Sequence, residues 1–232
     1  MHKSSGKIPV KVLPKTIYLL RHGETRYNRE GIVQGSGVDS ELNQLGAEQA
    51  RAFHHTYGHL PFELVLTSAL RRTQQTVGSF IDKGIPWLAM PELNEISWGD
   101  LEGQAYDNDG RKHFHQVTDA WRKGHLDARI PNGESAAELA ERLRRFANHL
   151  HQRPESLLLV CSHGRTMRGL LCVLLNKSLR RMDEFAHHNT GLWRIHFDTS
   201  GEPEVDMRND LQHLLLHGLI TSEIHPGQSD AK

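Results

Sequence analysis

The sequence predicts a three-layer α/β/α fold with a mainly parallel central sheet, and three observations lead there. Strand-like and helix-like segments alternate along most of the chain. Two of the strand-like runs are continuously apolar, as strands covered on both faces are. Those same two runs end alike, in a histidine followed by a glycine.

The elements follow in order. Residues 16–20 (TIYLL) read as a buried strand that opens into a loop at Arg21, His22 and Gly23. Leu42, Leu45, Phe53 and Tyr57, with Ala47 and Ala50, keep helical spacing, and residues 63–67 (ELVLT) form a second strand after Pro61. Residues 69–81 read as a helix and 86–90 as a third, short strand. Residues 94–129 are rich in glycine and charge without a long apolar period, which predicts an insertion with short helices. Ser135 and Glu138 make a capping box, and Leu139, Leu143, Phe146 and Leu150 repeat behind it along one helical face. After Pro154, residues 156–161 (SLLLVC) have the unbroken hydrophobicity of a central parallel strand. Residues 166–175 continue as an apolar helix, and 192–197 (LWRIHF) alternate like a half-buried strand. This divides the chain into an N-terminal extension (1–15), a single domain (16–217) with an insertion at about 103–131, and a C-terminal tail (218–232).

Composition removes several function classes. At 232 residues the chain suits one large α/β domain, and 28 basic against 28 acidic side chains leave no excess charge to grip a nucleic-acid backbone. No apolar run approaches the roughly 20 residues that span a bilayer, so no membrane partner is expected. The two cysteines, Cys161 and Cys172, lie in apolar surroundings and read as reduced thiols, which suits a cytoplasmic protein. Histidine is in excess, 17 residues, with pairs at His54/His55 and His187/His188 and a near pair at His113/His115. Zinc is the competing use for such pairs, but adjacent residues on a helix point about 100° apart and no cysteine or carboxylate spacing completes a site.

Chemistry concentrates where strands end. Ligands of parallel sheets sit at the carboxyl ends of the strands, and His22 and His163 both fall there. Alone, either histidine is more often structural than catalytic; in matching places they reinforce one another. Glycine after each removes a Cβ, so a ligand or another backbone can approach, and a following helix can offer N–H groups to an anion. Phosphate is the natural candidate.

Several separated motifs then resemble the histidine phosphatase superfamily and its cofactor-dependent phosphoglycerate mutase branch. LLRHGET at 19–25, QG at 34–35, DSELNQLGAEQA at 39–50, TSALRRTQQT at 67–76, LNEISWGDLEG at 93–103, PNGES at 131–135 and CSHG at 161–164 stand in family order. The resemblance implies a phosphoglycerate mutase-like fold and a metal-independent transfer in which His22 takes the phosphoryl group and water removes it. It also implies that Arg21, Asn28, Arg72, His163 and Gly164 bind phosphate and that Glu95 donates the proton to the leaving oxygen, with no cofactor. Adjacent Arg21 and Arg72 should keep His22 neutral, as a nucleophile must be, and guanidinium forks suit the three equatorial phosphoryl oxygens. Glu95 should be kept protonated by nearby negative charge, with Glu102 as the competing carboxylate.

Which branch applies depends on what covers the clamp. The resemblance implies that mutases carry a longer insertion between the acid and the PNGES-like motif; here the interval from Gly103 to Pro131 is short and lacks their arginine-rich, double-proline stretch. The reading is a phosphomonoester phosphatase acting on small phosphorylated metabolites, with a primer-dependent mutase as the alternative and a catalytically silent binding module behind both. Arg111, Lys112, His113, His115, Arg122, Lys123 and Arg129 in that interval either clothe a solvated face or suit a sugar phosphate or polyanion. Asn132 stands where the family has glycine, a place where asparagine tolerates positive φ. Oligomeric state is not legible.

Overall fold

The computed structural model describes residues 13–105 and 108–221. The strands β1 (Lys15–Arg21), β2 (Leu64–Thr67), β3 (Trp87–Ala89), β4 (Leu157–Ser162), β5 (Leu192–Phe197) and β6 (Pro203–Asp210) form one sheet in the order β3-β2-β4-β1-β5-β6. β1, β2, β3 and β4 pair in parallel, whereas β5 runs antiparallel to β1 and to β6. The helices are α1 (Arg26–Glu30), α2 (Gln44–Tyr57), α3 (Arg71–Asp82), α4 (Asn108–Lys123), α5 (Ala136–Gln152), α6 (Gly164–Leu174) and α7 (Gln212–Leu216).

Strand alternation builds the three layers. Ile17, Leu19, Leu66, Leu158 and Val160 turn to one face and pack on α5 and α6 through Leu139, Leu143, Phe146 and Leu171. Tyr18, Leu20, Val65, Leu159 and Cys161, the alternate residues, meet Phe53 of α2 and Val77 and Phe80 of α3 on the other face. The capping box at Ser135 and Glu138 closes both ways, and Leu139, Leu143, Phe146 and Leu150 behind it are fully buried. Asn132 does adopt positive φ (60°), with its side-chain amide donating to Asp100.

Three elements depart from the sequence reading. The insertion holds one 16-residue helix, α4, rather than several short ones. Its apolar stripe is only Phe114, Val117 and Trp121, too short to stand out among charges, yet Trp121 is 1 % exposed, stacks on Trp98 and donates its indole N–H to the Ala128 carbonyl. The edge strand β6 was not expected either, because PEVDMRND alternates with charged residues, as solvent-facing edges do. Finally, β1 begins at Lys15, a residue assigned to the extension; its buried ammonium donates to the carbonyls of Leu150 and Arg153 at the end of α5. The expected extension and tail otherwise lie mostly outside the described residues.

Candidate active site

Parallel pairing of β1 with β4 sets Arg21 opposite Ser162, so the next residues, His22 and His163, leave the sheet side by side. Their ring centroids are 5.1 Å apart. The chain ends of these strands open into a cavity of about 420 Å³, lined among others by Arg21, His22, Asn28, Arg72, Glu95 and Gly164. The sequence-predicted residues are thus gathered, with His163 lying directly behind Arg72.

The His22 ring has a defined tautomer. Its Nδ1 lies 2.7 Å from the Gly23 carbonyl, which can only accept, so the proton sits on Nδ1 and Nε2 keeps its lone pair. Burial, then the charges of Arg72 and Arg21, hold its pKa well below the usual histidine value. The expectation of a neutral ring stands, with desolvation a larger cause than the two arginines.

Arg72 is fully buried and tied at every nitrogen: Nε donates to His163 Nδ1 (3.1 Å), one terminal nitrogen to the Val38 carbonyl (2.6 Å), the other to the Gly35 carbonyl (3.4 Å). Burial lowers its pKa to about 10, so it stays charged at neutral pH. His163 in turn directs its other nitrogen at Ser68 Oγ (2.8 Å). Since Arg72 must donate, His163 carries its proton on Nε2 and gives it to Ser68; both ring nitrogens are engaged by protein.

Asn28 closes a capping box with Thr25 through its Oδ1, which also receives the Asn189 amide, leaving its own Nδ2 as a donor on the cavity side. Glu95, 8 % exposed, sits at the N-terminus of α6. Its Oε2 accepts from the Arg165 N–H, and its Oε1 from Ile96 N–H, Thr166 N–H and the Thr166 hydroxyl. Glu102, the competing carboxylate, accepts from the backbone N–H groups of Gly37 and Trp98 and braces the loop that carries Gly35.

Two expectations change. The N–H groups after His22 are already bonded, Gly23 to Thr76, Glu24 to Gln49 and Thr25 to Asn28, and those of Arg165 and Thr166 go to Glu95. The backbone cradle expected after each strand is therefore largely spent on the protein; the Gly164 N–H, first in α6 and on the cavity wall, stays open beside the side-chain donors. Both glycines also serve packing: a Cβ on Gly23 would lie 2.7 Å from the Gly46 carbonyl of α2, and one on Gly164 would lie 2.9 Å from the His187 ring.

His187 is the residue the sequence reading left without a role. It lines the cavity, receives an Arg21 N–H on Nδ1 (3.2 Å), and so bears its proton on Nε2. Burial and the charges of Arg21, Arg168 and Arg165 hold its pKa well down. The only sequence signal was its pairing with His188, which instead bonds Asn209. From the insertion, Arg111, Phe114, His115, Thr118 and Arg122 of α4 complete the wall, whereas Arg129 pairs with Glu138. The other pair separates too, His54 against Phe80 and His55 against His217. Among the described residues no three histidine, cysteine or acidic side chains cluster as a metal site, and no helix is long and apolar enough to cross a membrane.

The architecture recurs in known proteins. The α-ribazole phosphatase of Shigella flexneri superposes with a TM-score of 0.74 at 27 % identity, over 84 % of this chain and 96 % of that one. A Hydrogenobacter thermophilus protein, provisionally named phosphoserine phosphatase 2, is 28 % identical over 209 residues, 87 % of this chain and 94 % of the relative. An Enterobacter sp. (strain 638) protein, provisionally named a phosphoglycerate mutase, is 32 % identical over 211 residues, 85 % of this chain and 94 % of that one. Residues 17–211 match the family model of the histidine phosphatase superfamily (branch 1). With that match over most of its length, the chain belongs to the histidine phosphatase superfamily, and its class is that of a phosphomonoester hydrolase.

Proposed function

We propose that the chain hydrolyses small phosphorylated metabolites through a phosphohistidine on His22, with no metal or organic cofactor. The observation that carries this reading is the bare Nε2 of His22, held neutral by burial and flanked by Arg21 and Arg72. The Nε2 lone pair forms the N–P bond as the ester P–O bond breaks. Arg21, Arg72, Asn28 Nδ2 and His187 Nε2–H take up the charge on the equatorial oxygens, and His163 acts on them through Arg72. The leaving oxygen takes a proton from Glu95. Its Oε2 accepts a single bond, against three at Oε1, so Oε2 has room for that proton. The negative charge beside Glu95 arrives with the substrate itself. In the second half, Glu95 takes a proton from water, the resulting hydroxide bonds to phosphorus, and the P–N bond breaks to release phosphate.

Residues 16–217 serve as one catalytic domain in this reading, in a reducing cytoplasmic setting that suits two buried, unpaired cysteines. The second reading, a primer-dependent phosphoglycerate mutase, is favoured by the name of the 32 % identical relative. Supplying 3-phosphoglycerate with and without 2,3-bisphosphoglycerate, and measuring both free phosphate and 2-phosphoglycerate, separates them. Steady phosphate release without primer is expected; interconversion a hundredfold faster, about 2.7 kcal/mol of partitioning, makes the chain a mutase.

A further inference from the structure

One wall of the cavity holds a charge cluster that the transfer chemistry above does not use. Arg165 and Arg168, successive on the cavity side of α6, and Arg122 of α4 all donate to one carboxylate, Asp183, in the 3-10 turn Leu179–Glu184. Arg122 is also paired with Asp119, so the three guanidinium groups share two carboxylates and one positive charge is in excess, on the Arg165 and Arg168 side. The side chains of Arg165 and Arg168 are only 9 % and 10 % exposed, so this excess lies where water screens it poorly. Asp183 is held well below the usual carboxylate range by these arginines, so it remains an anion that holds them in place.

The cluster is also rigid. The Arg165 guanidinium sits 5.9 Å from the Trp98 ring centroid, 5.6 Å from that of Phe114 and 5.6 Å from that of Trp121, an aromatic cage on its outer side. Arg168 spends a terminal nitrogen on Asp183, while its Nε is buried with no hydrogen-bond partner in the protein. Burial, with Arg165 beside it, pushes the Arg168 pKa down to about 10, so it stays charged at neutral pH. Arg165, Arg168, Arg122 and Asp183 line the same cavity as His22.

We propose that Arg165 and Arg168, buttressed by Asp183, form a second anion subsite that binds a carboxylate or second phosphate on the far end of the substrate while His22 attacks the near phosphoryl group. The inference rests on the phosphatase reading and narrows its substrate class to esters with two anionic ends.

Two matched pairs of esters test it: 3-phosphoglycerate against glycerol 3-phosphate, which replaces the carboxylate by a hydroxymethyl group, and propane-1,3-diol bisphosphate against its monophosphate. The ratio of kcat/KM within a pair cancels any loss of folded enzyme. The wild-type protein is expected to favour the doubly anionic member of at least one pair tenfold or more, and Arg168→Gln to bring that ratio close to one. Arg165→Gln gives the same reading should Arg168→Gln not fold. The pair that shows the preference identifies the second anion as carboxylate or phosphate. Ratios near one in both pairs for the wild type, or a preference retained in the variants, overturn the subsite while leaving phosphate release intact. If no ester is turned over, the phosphatase reading fails instead. Calorimetric affinities of the same pairs then decide the subsite without turnover: tighter binding of the doubly anionic ester, lost in Arg168→Gln, supports it, and equal affinities overturn it.

Discussion

Arg72 Nε donates to His163 Nδ1 at 3.1 Å, so the second histidine of the site acts as a hydrogen-bond acceptor that aims an arginine. A protonated His163 would set N–H against N–H; burial and the Arg72 charge both oppose that state. Replacing the ring's acceptor while keeping its bulk, His163→Phe, should leave Arg72 held only by the Val38 and Gly35 carbonyls. Inhibition by inorganic phosphate should weaken tenfold or more, about 1.4 kcal/mol. An unchanged inhibition constant would mean that the two carbonyls suffice to place Arg72.

His22→Ala should cost on the order of a thousandfold or more in kcat. With a radioactive phosphate donor, acid-labile and alkali-stable label should form on the wild-type protein and be absent from the variant. Label that persists in His22→Ala would assign the nucleophile elsewhere.

Glu95→Gln keeps the acceptor oxygen but removes the transferable proton. Alkyl phosphates, whose leaving oxygens need protonation, should lose about a hundredfold or more, and an activated aryl phosphate much less. Equal losses on both would indicate that the carboxylate serves only to cap α6, whose Arg165 and Thr166 N–H groups it receives.

Gly164→Ala places a methyl group 2.9 Å from the His187 ring. The clash should cost about 1–3 kcal/mol in stability, as overpacked interiors do. His187→Ala in the same chain should recover most of it, so a double-mutant cycle from urea melts should be strongly non-additive. Additive losses would show that the ring moves aside without resistance.

Stability should fall on acidification. His22, His163 and His213 are buried with lowered pKa values, His213 at about 4, so between pH 6.5 and their folded values the unfolded chain binds protons that the folded chain does not. With more protons on the unfolded state, unfolding free energy rises with pH; it is fully present above about 6.5 and is lost as pH drops, by about 1.4 kcal/mol per unit for each histidine. Urea melts at pH 7, 6 and 5 should show this slope, and His213→Leu should reduce it. A flat profile would contradict buried neutral histidines.

The alternation of apolar residues in the strands, the capping box before α5 and the motif order were local properties, so the layered fold and the grouping of Arg21, His22, Arg72 and Glu95 could be read before any coordinates. β6 and α4 could not, because an edge strand buries one face only and α4 carries a short apolar stripe whose Phe114 and Trp121 pack on Trp98, in a different segment. The tautomers of His22 and His163 depend on single acceptors and donors contributed across the fold, and periodicity carries no trace of them. The excess positive charge on Asp183 exists only because α4, α6 and the turn between α6 and β5 converge. Local pattern specifies which face of each element is buried; charge pairing between segments far apart in sequence is decided by how those elements pack.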